Sequence, residues 1–121
     1  MTIFPGRRKP TSDNPQLKWW RRAIAQEAMI RRLKKFDREI PLSVSLEFVL
    51  ERPPSVRKKR KHPSVRPDLD KLIRAICDAL TGVIWVDDAQ VCRLRDVRKC
   101  YGQPARVEIT VEPLLGDKPN G

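Results

Sequence analysis

The chain has 121 residues, which predicts a single domain, since domains commonly contain about 100–150 residues. Forty per cent of the residues are hydrophobic, enough for a modest core, and the net charge is +11. No apolar run approaches the roughly 20 residues of a membrane span, and the first residues contain no hydrophobic secretion segment. These features exclude a membrane-spanning or secreted chain. They predict a cytoplasmic protein with a polyanionic partner such as nucleic acid.

The charge is unevenly distributed along the chain. Residues 1–66 contain 18 Lys/Arg and 6 Asp/Glu, a net charge of +12, whereas residues 67–121 contain 8 and 9, a net charge of −1. A protein that binds nucleic acid by charge alone has little use for clustered carboxylates, because they repel phosphate. The second half is therefore expected to carry acidic residues for another purpose.

Three cysteines, Cys77, Cys92 and Cys100, and the single His62 show no C-x-x-C spacing. A zinc site of Cys and His would need four converging ligands. We interpret the cysteines as buried, reduced thiols.

The first third of the chain predicts a short strand and one long helix. A strand is expected at Thr2–Phe4, and Asp13-Asn14-Pro15 is a typical helix start, from which helix-forming residues continue to about Phe36. The apolar residues shift by about a third of a turn towards Met29 and Leu33. This shift predicts a helix that buries two sides, one of them against a second subunit.

A strand and a basic loop follow. Residues 42–51 alternate with period two, which predicts a half-buried strand. Residues 52–66 contain three prolines and eight basic residues, and we interpret them as a mobile loop that contacts phosphates rather than as a merely solvated insertion.

The remaining sequence predicts a second helix and three strands. The helix begins at Pro67-Asp68 and ends near Leu80, before Thr81-Gly82. Strands are predicted at 83–86, 90–101 and 105–112, and residues 113–121 form a frayed tail. The expected architecture is one α/β domain over residues 1–121, a mixed sheet of about four strands packed by two main helices. Trp19, Trp20 and Trp85 are expected in the core.

Four aspartates could converge at one end of this fold. Asp68 and Asp70 lie at a helix start, and Asp87 and Asp88 lie in the turn after the next predicted strand. Each also has an ordinary structural explanation, as a helix cap or as a turn residue. If they meet, their repulsion must be offset, either by Arg74 one turn after Asp70 or by a divalent cation such as Mg²⁺. A metal-dependent nuclease is one interpretation.

Residues 66–91, RPDLDKLIRAICDALTGVIWVDDAQV, resemble the motif of the RusA-type Holliday-junction resolvases, and a weaker resemblance continues to about Glu112. Members of this family are small, basic, often phage-encoded endonucleases. The resemblance implies a homodimeric α/β protein that binds four-way DNA junctions and makes paired, Mg²⁺-dependent nicks, with Mn²⁺ as an alternative ion. Two sites in a two-fold dimer would match a two-fold branched substrate.

The resemblance also implies roles for individual residues. Asp68, Asp70 and Asp88 would hold the metal, Asp87 would support them, and Arg74 stands where the family has its catalytic lysine. Arginine keeps the charge but stays protonated, so phosphate binding is retained and proton transfer is not. Lys71 replaces the usual asparagine, and the segment before the first helix is shorter than the family's opening strand. The expected DNA-binding residues are Lys58, Lys59, Arg60, Lys61, Lys71, Arg31 and Arg32.

The resulting prediction is a Mg²⁺-dependent endodeoxyribonuclease that resolves Holliday junctions in DNA recombination and repair. One alternative is a non-catalytic, structure-selective DNA-binding protein, in which Lys71 and Arg74 replace the metal with internal ion pairs. Another, suggested by charge alone, is an RNA-binding or ribosome-associated protein.

Overall fold

A computed structural model describes residues 2–3, 16–55 and 59–114. The elements in chain order are β1 (Thr2–Ile3), α1 (Gln16–Ile30), β2 (Leu42–Leu50), α2 (Leu69–Leu80), β3 (Val91–Leu94), β4 (Arg98–Tyr101) and β5 (Arg106–Pro113), with a 3₁₀ turn at Asp88–Gln90 before β3. The predicted α/β class is confirmed. The proposed helix start at residues 13–15, the Lys58 side chain and the tail at 115–121 lie outside the described residues.

The sheet is mixed and is built around β2. On one side β2 pairs antiparallel with β5, and β5 pairs with the two-residue β1. On the other side β3 and β4 both pair with β2 in parallel, one with each half of the strand. The four longer strands correspond to the predicted sheet of about four strands, and β1 confirms the short strand expected near the N-terminus.

The core lies between one face of this sheet and the two helices. Alternate residues of β2 from Leu42 to Phe48 are almost fully buried, as the period-two pattern predicted. Trp20 of α1 meets Phe48 edge-to-face with ring centroids 6.3 Å apart. Trp85 is completely buried, so both tryptophans whose side chains are described are core residues, as expected; the Trp19 side chain is outside the described residues.

Helix α1 is shorter than predicted. It ends at Ile30, and Arg32 adopts a left-handed backbone conformation with φ 51°. Residues 31–41 form the linker between α1 and β2, and within it the Phe36 N–H donates to the Ile84 carbonyl at 2.8 Å. Tertiary contact thus takes Phe36 out of the helix that local propensity predicts. Met29 is 65% exposed, so the second helix face is not buried within the described chain.

Two strand predictions after α2 are wrong. Residues 83–86 form a tight turn, because the Gly82 N–H donates to the Trp85 carbonyl and the Ile84 N–H to the Leu80 carbonyl. Residues 90–101 form two strands, β3 and β4, which are separated where Asp96 has φ 52°. None of the described helices is long and apolar enough to cross a membrane.

Candidate active site

The D-L-D motif lies at the start of α2. Asp68 occupies the N-cap position, but its side chain makes no capping hydrogen bond. Its carboxylate instead lies 3.7 Å from the Lys71 Nζ, with both side chains more than half exposed. Asp70 is exposed in the first turn of the helix. The capping explanation of Asp68 is therefore not supported, and both carboxylates are accessible to solvent.

The chain that leads into this motif is held from the sheet. Lys99 of β4 donates through Nζ to the backbone carbonyls of Val65, at 2.7 Å, and Pro67, at 2.9 Å. Because Asp68 follows Pro67 directly, the ammonium group fixes the entry to α2 relative to β4. This role leaves no trace in the sequence, since a lone lysine in a strand does not reveal its partners.

One side of α2 carries groups that the predicted nuclease chemistry would use. Asp70, Arg74 and Cys77 follow one another at spacings of four and three residues, which places them along one side of a helix. Arg74 is exposed and forms no ion pair with any carboxylate in the described part of the chain. It therefore does not neutralise Asp70, and its guanidinium is available to an external anion. Asp78 pairs instead with Arg21 of α1, at 3.6 Å.

The D-D motif lies where the chain turns from α2 into β3. Helix α2 ends at Leu80 with Thr81 as its C-cap, and Gly82 has φ 85°, a conformation that favours glycine. Asp87 caps the 3₁₀ turn, and its carboxylate accepts from the Ala89 N–H at 2.9 Å. This bond is the main cause that holds the pKa of Asp87 below its ordinary value, and the positive charge of Arg38 acts in the same direction. The turn-chemistry explanation of Asp87 is thus correct as far as its local bonding goes.

Asp88 lies near enough to the second half of α2 for its charge to act there. Burial raises the pKa of the Cys77 thiol, and the negative charge of Asp88 raises it further. Cys77 shares its helix side with Asp70 and Arg74, so the charge of Asp88 acts on a residue of that side. Cys77 lies seven residues after Asp70, about 10 Å along the helix axis at 1.5 Å per residue. Asp70 and the residue on which Asp88 acts are therefore separated by about two turns of the helix.

A shallow groove of about 290 Å³ runs beside the D-D turn. Asp87, Ala89 and Cys92 line one side, and residues 38–41 line the other. Arg38 at its edge supplies the positive charge that acts on Asp87. Cys92 is exposed, which contradicts its prediction as a buried thiol, while Cys77 and Cys100 are half-buried. All three cysteines are free.

The predicted DNA-contacting residues occupy different settings. Lys59, Arg60 and Lys61, within the basic loop of residues 52–66, are exposed. Arg52, at the start of this loop, donates to the Arg60 carbonyl at 2.9 Å. The same Arg52 guanidinium lies 4.9 Å from the centre of the Tyr101 ring. The loop is therefore anchored to the end of β4 by one arginine.

Two arginines at the end of α1 differ in availability. Arg31 is bonded to Glu27 and to the Thr2 carbonyl, so it links α1 to β1. Arg32 is exposed and makes no such bonds among the described residues. Of this pair, Arg32 is the better placed to contact DNA.

The side chains of Asp68, Asp70 and Asp88 are exposed carboxylates. Their oxygen atoms are the type of ligand that a hard divalent cation such as Mg²⁺ prefers. Within residues 2–3, 16–55 and 59–114, however, no three His, Cys, Asp or Glu side chains form a group that could hold a metal ion. Mg²⁺ is commonly held by one or two carboxylates, with water and substrate phosphates completing its shell. The ligand set Asp68, Asp70 and Asp88 therefore remains a prediction.

A basic α/β chain with carboxylates on one side of a helix and at the adjoining turn has the features of a metal-dependent nuclease. The comparison with known families agrees: residues 4–112 match the model of the family described as "Endodeoxyribonuclease RusA". The chain belongs to the RusA endodeoxyribonuclease family. Members of this family are endonucleases of Holliday junctions and generally depend on a divalent metal.

Among curated proteins, the chain is similar to "Uncharacterized protein YqaN" of Bacillus subtilis (strain 168). The two are 33% identical over 84 residues, an alignment that covers 61% of this chain and 58% of the relative. The chain thus spans less than two thirds of the length of the curated relative it matches.

Proposed function

We propose that this protein is an endodeoxyribonuclease that resolves Holliday junctions by paired strand nicks with Mg²⁺ as cofactor. The observation that carries the proposal is that a member of the RusA family, matched over residues 4–112, presents Asp70 and Arg74 exposed on one side of α2, with the charge of Asp88 acting on Cys77 of the same side. The active unit is proposed to be a homodimer of single-domain chains over residues 1–121, because two sites related by a two-fold axis match a four-way junction.

Each residue of the site has a proposed task. Asp68, Asp70 and Asp88 would hold the ion, and Asp87 would support Asp88. These residues would hold an ion whose chemistry, when bound, would be to activate water and to stabilise charge at the scissile phosphate. Arg74 would bind that phosphate and stabilise the charge that develops on it, a task that a permanently protonated guanidinium performs well. Lys58, Lys59, Arg60 and Lys61, with Lys71 and Arg32, would contact the DNA backbone and position it without reading sequence.

The proposal is tested by incubating a labelled mobile four-way junction and a linear duplex of matched sequence with Mg²⁺ or EDTA. We expect paired nicks on the junction only, in Mg²⁺ only, and a loss of about 100-fold or more in the nicking rate for Asp70→Asn and for Asp88→Asn. Asp96→Asn is the matched control, since Asp96 is an exposed aspartate between β3 and β4 and asparagine tolerates its left-handed backbone.

Junction binding without nicks, in Mg²⁺ and also in Mn²⁺, would contradict the nuclease proposal. Equal nicking by Asp70→Asn and Asp96→Asn would instead reject the assigned site.

One observation favours a second candidate, a structure-selective DNA-binding protein without catalysis. Asp68 already has a cationic partner in Lys71, and the described residues contain no three-residue metal group. Such a protein would bind the junction as tightly in EDTA as in Mg²⁺. It would also show no thermal stabilisation by millimolar Mg²⁺ that Asp70→Asn removes, whereas the nuclease would show it.

A further inference from the structure

Gln90 is the most completely bonded polar side chain beside the candidate site. It ends the 3₁₀ turn that carries Asp88, it precedes β3, and only 6% of its surface is exposed. A primary amide has two N–H donors and an oxygen with two lone pairs. All four are used, and the partners are backbone groups on two separate segments of the chain.

The oxygen of Gln90 acts on the turn that carries the aspartates. Oε1 accepts from the backbone N–H of Val86 at 2.8 Å and of Asp87 at 3.0 Å. The bond to the Asp87 N–H completes a capping box, because the Asp87 carboxylate caps the same turn in return. The Gln90 side chain thus holds the Trp85-Val86 and Val86-Asp87 peptides, and the Gln90 backbone N–H, which donates to the Asp87 carbonyl at 3.0 Å, holds the Asp87-Asp88 peptide.

The nitrogen of Gln90 acts on the linker between α1 and β2. Nε2 donates to the carbonyl of Asp37 at 2.8 Å and to that of Ile40 at 3.0 Å. The residue after Gln90 is Val91, which pairs with Leu42 at the start of β2. One buried amide therefore connects the aspartate turn to the linker, and the adjoining strand connects it to the sheet.

We propose that Gln90 is a positioning residue, whose buried amide holds the Val86–Asp88 backbone so that the Asp88 carboxylate stands at a fixed place beside α2. This inference rests on the proposed function, because the carboxylate is positioned for a metal ion and a scissile phosphate. Replacing a residue that orients a metal ligand without touching the metal commonly lowers metal affinity by about 10–100-fold. Asparagine is too short to bridge the two segments, and glutamate lacks the two N–H donors.

The test uses two variants of the full chain. Gln90→Met keeps an unbranched side chain and removes all four hydrogen bonds, and Gln90→Glu keeps the oxygen acceptors and removes the donors. We expect the Kd for Mn²⁺, measured by electron paramagnetic resonance, to rise about tenfold in both variants. Junction binding in EDTA should stay within about twofold of the wild type, since the phosphate-contacting residues are unchanged.

A purely structural role is separated by a control variant that is destabilised elsewhere in the fold. Ile109→Val shortens a buried side chain of β5 and should lower Tm while leaving the Mn²⁺ Kd unchanged. Wild-type Mn²⁺ affinity in both folded Gln90 variants would overturn the inference.

The wild type alone supplies a test that does not need a folded variant. We expect the amide hydrogens of Val86 and Asp87 to be protected from exchange, and exchange as fast as in an exposed loop would overturn the inference. A wild type that binds no Mn²⁺, or whose binding survives Asp88→Asn, would instead reject the proposed metal site, so the two failures are distinguishable.

Discussion

At the scale of the residue, Arg74 stands where the resemblance to the RusA-type resolvases leads us to expect a lysine. Its guanidinium is exposed and has no carboxylate partner within the described residues, so the side chain is not consumed by a structural ion pair. A residue in this state can contribute through charge and cannot contribute through proton transfer, because arginine remains protonated at any working pH.

The charge argument predicts how Arg74 variants behave. Arg74→Lys should nick the junction within about threefold of the wild type, since a cation remains near the phosphate, and Arg74→Gln should be slower by about 100-fold. Single-turnover cleavage at saturating enzyme measures the rate, and junction binding in EDTA should change little. Wild-type cleavage by Arg74→Gln would remove Arg74 from the site.

At the scale of the element, the pairing of β4 with β2 depends in part on Glu47 and Arg98. The Arg98 Nε donates to the Glu47 carboxylate at 2.7 Å, and Nη2 donates to the same oxygen. This contact holds the pKa of Glu47 below its ordinary 4.5, against the opposing effect of burial. The positive charge of Arg106 in β5 lowers it further.

The lowered pKa of Glu47 predicts a pH dependence of stability. The stabilisation is present above the pKa of the unfolded state, near 4.5, and is lost as the pH falls through the lower pKa of the folded state. Glu47→Gln should therefore lower the free energy of unfolding at pH 7 by less than about 1 kcal/mol, and the difference from the wild type should shrink as the pH falls below 4.5.

Urea unfolding between pH 3 and pH 7 measures this effect, with Glu112→Gln, an exposed carboxylate of β5, as the matched control. A difference between wild type and Glu47→Gln that stays constant over this pH range would contradict the assignment.

The elements also show how far sequence carries a prediction. Period-two alternation located β2 and β5 within a residue or two, and the Pro67-Asp68 start and Gly82 stop located α2, because these signals are local. The end of α1 and the turn at 83–86 were missed because tertiary contacts decide them. The Phe36 N–H donates to the Ile84 carbonyl. Trp85 does not continue a strand, because its side chain is buried and its indole N–H donates to the Thr81 hydroxyl.

The candidate site divides in the same way. The aspartates and Arg74 were visible in the sequence, since the D-L-D and D-D patterns are compact. The supporting role of Gln90 had one local signal, the Asp87-x-x-Gln90 spacing of a capping box. Its bonds to residues 37 and 40, like those of Lys99 to residues 65 and 67, join distant segments and leave no local pattern.

At the scale of the whole molecule, the basic loop predicts a salt dependence. Each phosphate contact releases counterions, so the slope of log K against log salt concentration reports the number of contacts. Changing Lys59, Arg60 and Lys61 to glutamine should weaken junction binding and reduce the magnitude of that slope by about 2–3. Fluorescence anisotropy at several salt concentrations measures both quantities.

The control for this prediction removes the same charge elsewhere, by changing the exposed residues Lys34, Lys35 and Arg95 to glutamine. Equal slopes for the two triple variants would show that net charge, and not the basic loop, governs binding.

The central place of β2 has a consequence for how the chain is made. Each described strand that pairs with β2 lies between residues 91 and 113. The pairing partner of β1 is β5, which is also in this range. No part of the sheet can assemble on the ribosome until most of the chain has emerged, so residues 42–50 leave it as an unpaired apolar segment. Such long-range pairings fold slowly, and they give this segment an interval in which it can aggregate or bind a chaperone.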